Sequence, residues 1–245
     1  MNSLRLVQRS VSHHWRTNLA VVLGVAAAVS VLSGALLVGD SVRGSLRDIA
    51  VGRLGRVEHV VASTGFFRDA LSSDIRAAMG GAASAAPLIV ANGFVSHESS
   101  GRRAGGVVIY GVDERFWSFH GLPDRAGVVI SPALASELGA TPRDVLLVRL
   151  QKPSAIPIES LFGRKDDVAR TLRLDVAGIL PREQLGEFSL RPQQGDVRAI
   201  FAPLARVQRD LAVAGRVNTV LLAGAGLESA GTAVQRAVLD RKSVV

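Results

Sequence analysis

Residues 19–38, LAVVLGVAAAVSVLSGALLV, run for twenty residues without a charge close to the start of the chain. At about 1.5 Å per helical residue such a segment reaches roughly 30 Å, the thickness of a bilayer's hydrocarbon core. Its five Leu and six Val, each worth about −0.3 to −0.6 kcal/mol at mid-membrane, contribute on the order of −3 to −7 kcal/mol toward insertion. The interspersed Gly, Ser and Ala erode that sum without reversing it. The expectation is a transmembrane helix over residues 18–39. No second run of comparable length and apolarity follows, so the chain as given reads as one anchor and one large soluble part.

The sequence contains no cysteine. The soluble part must therefore stand on its own core without disulfides, and thiolate metal sites, Cys nucleophiles and a lipid-modified N-terminal Cys are excluded. The net charge of +8 first suggests nucleic acid, but its distribution argues otherwise. Arg5, Arg9 and Arg16 stand before the span with no acidic residue among residues 1–16. Arg43, Arg47, Arg53 and Arg56 follow it against Asp40 and Asp48. Beyond residue 56 the bases are scattered, and aromatic residues make up only 4% of the chain, which leaves little to stack on nucleotides. No nucleic-acid partner is expected.

Residues 1–17 read as an amphipathic segment, cytoplasmic or lying in the membrane interface. Leu4, Val7, Val11 and Trp15 share one helical face, and the three arginines flank it. A frayed basic tail is the bland alternative. The acid-free basic flank predicts a cytoplasmic N-terminus in the cell (inner) membrane and an extracytoplasmic main domain. A cleavable signal peptide competes, but its apolar region usually runs only about 7–15 residues, and no small-x-small site precedes Asp40. Within the span, Ala20, Gly24 and Ala28 recur every fourth residue, as do Ser30 and Gly34. Small-xxx-small spacing lets helix backbones approach closely, so these five residues are a candidate packing face for partner helices. Alanine-rich composition alone also produces such spacing.

Residues 40–56 are expected to carry the helix out of the membrane as a stalk ending near Gly52–Gly55. Beyond it the pattern alternates. Strands are expected at 57–62, 87–96, 105–112, 127–130, 144–150, 171–180, 197–202 and 217–224, from Val/Ile-rich runs bounded by turn residues. Helices are expected at 66–79 (Phe67, Leu71, Ile75 and Met79 at fourfold spacing), 132–138, from Pro203 through Val213, and 228–240. The 132–138 helix carries Ser131 as N-cap, Pro132 at its first position and Gly139 beyond its end. Strands and helices mix without a strict βαβ rhythm, which predicts an α+β domain over 57–245, and a composition change suggests two lobes with a break near 150. The proline-bearing stretch 152–167 reads as an exposed excursion.

Nothing catalytic assembles from the sequence. His13 and His14 are adjacent and so face different ways on a helix. His59, His97 and His120 are isolated, without a metal-ligand spacing. No G-x-S-x-G elbow, dinucleotide fingerprint or P-loop occurs. The expectation is no enzyme, no resident cofactor, and any ATP bound on a partner subunit. The stretch GVDERFWSFHGL (111–122) concentrates Phe116, Trp117 and Phe119. These aromatics either fill a small core or form an exposed contact for a partner. The 152–167 excursion and Pro192-Gln193-Gln194 are candidate interaction loops.

The span with its flanks, RTNLAVVLGVAAAVSVLSGALLVGDSVRGSLR, followed by GVDERFW and VVISPALASELGA, resembles permeases of the FtsX/MacB type, the membrane subunits of ABC transporters. The later two segments resemble the strand-to-helix turn and strand–helix pair of that family's extracytoplasmic core domain. The resemblance implies a four-span permease that works as a dimer with a separate or fused ATPase, and so an N-terminal fragment here. It implies a mechanism of transmission: ATP hydrolysis moves the first span and stalk, and the external domain follows, for export or signalling. The alternative is a single-span anchored binding or adaptor protein. A third class, an anchored hydrolase, needs a carboxylate or serine site that does not assemble.

Overall fold

The computed structural model describes residues 13–79, 83–151, 169–224 and 226–239. The chain divides into two units, the first ending at Ile49 and the second beginning at Ala50.

Helix α1, Trp15–Leu54, is a single uninterrupted helix of 40 residues, about 60 Å long at the usual rise. All described side chains before Ala50 are exposed. A stretch apolar on every side suits hydrocarbon as its surroundings, and in a bilayer the helix satisfies its backbone internally. Among the described residues, α1 is the only helix long and apolar enough to cross a membrane. It continues past Asp40 without a break, through the charged turns that follow. Most of the N-terminal amphipathic segment lies outside the described residues.

The second unit begins with the last turn of α1 and continues as a mixed α+β domain. Its elements are β1 (His59–Arg68), α2 (Leu71–Ala78), β2 (Ser84–His97), β3 (Arg103–Val112), α3 (Glu114–Phe119), β4 (Val128–Ile130), α4 (Pro132–Leu138), β5 (Val145–Gln151), β6 (Ala169–Ile179), β7 (Ala199–Pro203), α5 (Leu204–Asp210), β8 (Arg216–Ala223) and α6 (Leu227–Leu239). The strands join in the order β1-β8-β2-β3-β7-β4-β6-β5, and a further pairing of β2 with β5 closes the last six into a ring.

Alternation along the ring strands builds a dry interior. Ile109 of β3, Leu146 and Val148 of β5, Leu172 and Leu174 of β6 and Ile200 of β7 all point into one buried cluster. The intervening residues of β3 and β7, Tyr110 and Phe201, face a second cluster outside the ring. Where β2 crosses β5 the strands approach so closely that a Cβ on Gly93 would lie 2.6 Å from the Arg149 carbonyl oxygen. Strand β2 serves two layers. Residues 84–88 pair with β8, while its later residues pair with β3 and, over 93–97, with β5. In the first layer β1, β8 and the start of β2 carry α2 and α6, packed through Leu71, Ile75, Val220, Leu222, Ala230 and Ala233.

Several expectations need correction. No lobe boundary falls near 150, because β5 and β6 are antiparallel neighbours across that point, paired from Val145↔Asp175 to Gln151↔Ala169. The change of layer lies inside β2 instead. The helix expected at 66–79 starts only at Leu71: Phe67 and Arg68 stay in β1, held opposite Val217 and Arg216 of β8. The Phe67–Leu71 spacing therefore joins a strand residue to a helix residue. The helix after Pro203 stops at Asp210, because Ala212 takes a left-handed φ of 56°. The excursion at 152–167 lies outside the described residues.

Candidate functional site

Two of the sequence-derived groups were candidates for partner contact, and they fare differently. The helix-packing residues Ala20, Gly24, Ala28, Ser30 and Gly34 lie on α1, within an arc of about 160° at 100° per residue. All five are exposed, and nothing stands within 4 Å of a Cβ built on Gly24 or Gly34. The aromatic group is not a surface at all. Phe116, Trp117 and Phe119 are 0%, 2% and 4% exposed, so the contact reading is replaced by the core reading.

Local sequence explains how α3 aims them inward. Asp113 caps the helix, its side chain accepting from the Arg115 amide at 3.0 Å, and it also holds the Arg115 guanidinium at 2.6 Å. Six residues of helix then place Phe116, Trp117 and Phe119 on the buried side. Phe116 meets Phe188 edge-on at 5.4 Å, and Phe201 stacks on Tyr110 at 5.2 Å. Such pairs are worth about 0.5–1.5 kcal/mol each beyond the area they bury. Burial pushes the Tyr110 hydroxyl up to about 12, and that hydroxyl accepts a hydrogen bond from the Leu190 amide.

This aromatic cluster seats the end of the stalk. Leu54, in the last turn of α1, packs against it, and Val57 is buried in it. Arg53 ties the same turn to the segment after β6. Its guanidinium donates to the Gln193 carbonyl at 2.6 Å and lies 3.7 Å from the Glu187 carboxylate, while its own carbonyl accepts from the Ser189 amide. Glu187 is also paired with Arg182. Gln193, from the Pro-Gln-Gln stretch read as an interaction loop, is thus engaged within the domain. Gly55 then turns the chain with a left-handed φ of 60°, and a Cβ there would meet His120 Nδ1 at 2.8 Å. From Val57 the backbone passes directly into the sheet, the Glu58 amide donating to the Leu222 carbonyl.

His120 closes this joint from the α3 side. Its ring packs edge-on against Phe116 at 4.8 Å and Phe188 at 5.3 Å, and Nδ1 lies 3.4 Å from the Arg56 amide nitrogen. Burial, with the nearby Arg56 charge, lowers its pKa to about 4. The ring is therefore neutral at ordinary pH, a hydrophobic wedge with one accepting nitrogen. Sequence reading took His120 as an isolated histidine. The signal that could have found it is its position one residue past an aromatic helix, opposite a Gly-Arg pair at a helix end.

A second group also escaped the sequence. His97 at the end of β2 places Nδ1 2.7 Å from Ser100 Oγ and Nε2 3.4 Å from the Asp144 carboxylate. Asp144 meanwhile accepts from both the amide and the hydroxyl of Thr141, which hold its pKa below the ordinary carboxylate value. The arrangement ties the β2–β3 hairpin to the start of β5. Ser100 Oγ itself accepts from the Arg102 amide, so its bonds belong to the hairpin turn. Among the described residues, no three His, Asp or Glu side chains gather at metal-binding spacing.

Known proteins bear on this architecture. The family model of the MacB-like periplasmic core domain matches residues 17–238. Among solved structures, the extracellular domain of the noncanonical ABC-type transporter YknZ from Gram-positive bacteria is similar at 12% identity and a TM-score of 0.44, covering 73% of this chain and 85% of that one. The periplasmic region of MacB from Actinobacillus actinomycetemcomitans is similar at 11% identity and a TM-score of 0.44, covering 78% and 86%. No curated protein sequence matches. On the family match, which takes in most of the span and nearly all of the domain, this chain belongs to the family of the MacB-like periplasmic core domain, found in ABC-transporter permeases.

Proposed function

We propose that this chain is the transmitting part of an ABC-transporter permease, which couples ATP hydrolysis on a separate ATPase to movement of its extracytoplasmic domain. The observation that carries the proposal is the family match over residues 17–238, which includes the membrane helix as well as the domain. The joint supports it physically. A stalk that ended in a flexible linker would dissipate any displacement, whereas the last turn of α1 is clamped by Arg53, Leu54 and a buried aromatic cluster. In this reading the N-terminus is cytoplasmic, two permease copies pair, and the small-residue face of Ala20, Gly24, Ala28, Ser30 and Gly34 packs against neighbouring spans. ATP binds on the partner, and the work done on the outer side is export or signal transmission without chemistry in this chain.

The test is isolation of the membrane-embedded protein after crosslinking in its native cells, with mass spectrometry of what is joined to it. An ABC ATPase crosslinked to the cytoplasmic side of the permease is the expected result. A chain that yields only extracytoplasmic proteins, and whose N-terminus is accessible from outside, would favour the anchored adaptor and overturn the proposal.

A further inference from the structure

Among the described residues, strand β6 has a neighbour on only one side for most of its length. It pairs with β5 from Ala169 to Asp175, whereas β4, its other neighbour, reaches only Val176, Gly178 and Ile179. The direction of the backbone groups follows from two hydrogen-bond sets. Val176 donates to the Asp144 carbonyl and accepts from the Arg143 amide, so its groups point toward β5. Alternation then turns those of Arg173 and Thr171 away from β5. The Arg206 guanidinium confirms this, because it reaches the Arg173 carbonyl from the far side at 3.1 Å. Among the described residues, Thr171 and Arg173 therefore present an open strand edge beside α5.

The edge lies in a groove. Two adjoining hollows of about 290 and 710 Å³ run along β6 and share Arg206 and Arg209 of α5 as one wall. Val176, Pro203 and Ala205 give the larger one apolar lining, and Arg143 stands at its end. Arg143 holds a left-handed φ of 81°, unusual for a residue with a side chain. Arg173 and Arg206 are paired with Glu98 and Asp210. Arg143 and Arg209 enter no ion pair among the described residues, and the two hollows together carry four arginines against two lining carboxylates, Asp175 and the Arg206-paired Asp210. Exposed edges are usually blunted because they recruit strands. Among the described residues the Arg173 carbonyl is covered by Arg206, no hydrogen bond engages the adjacent amide, and arginines outnumber carboxylates along the flanks.

We infer that the open edge of β6 between Thr171 and Asp175, walled by Arg206 and Arg209, is a docking groove for an extended acidic peptide segment of another polypeptide, added as a further strand. Main-chain hydrogen bonds to Thr171 and Arg173 give the affinity, and Arg143 and Arg209 select acidic side chains at alternate positions. The inference does not depend on the transmission role of the joint.

The probe is a fluorescein-labelled synthetic peptide, acetyl-Asp-Val-Glu-Val-Asp-Thr-amide, titrated by anisotropy into the full chain in detergent micelles at low salt. Saturable binding is expected, weakened about tenfold or more by Arg209→Glu and retained by Arg209→Lys. Arg173→Pro removes the outward amide while leaving the β5 side of the ladder intact, and should abolish binding. If that variant fails to fold, the same question is put by a peptide N-methylated on alternate amides, which should not bind. No binding of the parent peptide, or equal binding of the N-methylated one, overturns the inference. So does concentration-dependent self-association that Arg209→Glu removes in the absence of peptide binding, because the edge would then belong to a second copy.

Discussion

Gly55 and His120 face each other in the joint, and each makes a separate expectation. Gly55 has a left-handed φ and no room for a Cβ beside His120. Gly55→Ala should destabilise the domain by about 1–3 kcal/mol, combining the left-handed penalty with displacement of a packed ring. Thermal unfolding followed through the buried Trp117 would measure it, and an unchanged midpoint would show that the turn relaxes freely. His120 is predicted to make stability pH-dependent. Its folded pKa of about 4 lies below the ordinary value of 6.5, so between those values the unfolded chain binds a proton that the folded chain refuses. Stability contributed by the neutral ring is complete above pH 6.5 and falls as pH drops to about 4, by on the order of 2–3 kcal/mol in total. His120→Phe keeps the ring and cannot be protonated, so its stability should decline less than that of the parent over this window. Parallel curves for the two proteins would contradict the assignment.

At the scale of elements, the sequence was most legible where local chemistry decides the outcome. Ser131, Pro132 and Gly139 marked the start and stop of α4, and the structure shows Ser131 Oγ accepting from the Leu134 amide and Gly139 in the left-handed region with φ of 64°. Strands such as β8 and β5 were readable from their Val/Leu runs within a residue or two. Long-range pairing was not readable. The parallel pairing of β3 with β7 joins Val108 to Ala199, and no local pattern announces a partner so distant in the chain. For the same reason the ring closure and the joint stayed hidden, since Arg53 meets Gln193, and His120 meets Phe188, across long stretches of chain. The α1 face carries its own prediction. Gly24→Leu should leave membrane insertion intact, because Leu inserts better than Gly, and should weaken association with other spans. Blue-native electrophoresis or crosslinking in mild detergent would show the loss, and undiminished assembly would remove the packing role of that face.

For the whole molecule, the central claim is the proposed transmission of movement to the outer domain through the turn that carries Arg53 and Leu54. The chain supplies one continuous helix from Trp15 to Leu54, a last turn held by Arg53 and Leu54, and a domain built around three buried clusters. The most direct measurement uses the absence of native cysteine. The permease is reconstituted with its ATPase in liposomes, with a donor dye on Ser99→Cys in the exposed β2–β3 turn and acceptor lipids at the membrane surface. Energy transfer should change when ATP and vanadate trap the ATPase. A flexible Gly-Ser insertion after Gly55 should abolish that change while ATP turnover continues. Transfer that ignores nucleotide in the parent protein, or a response that survives the flexible insertion, would contradict transmission through the joint.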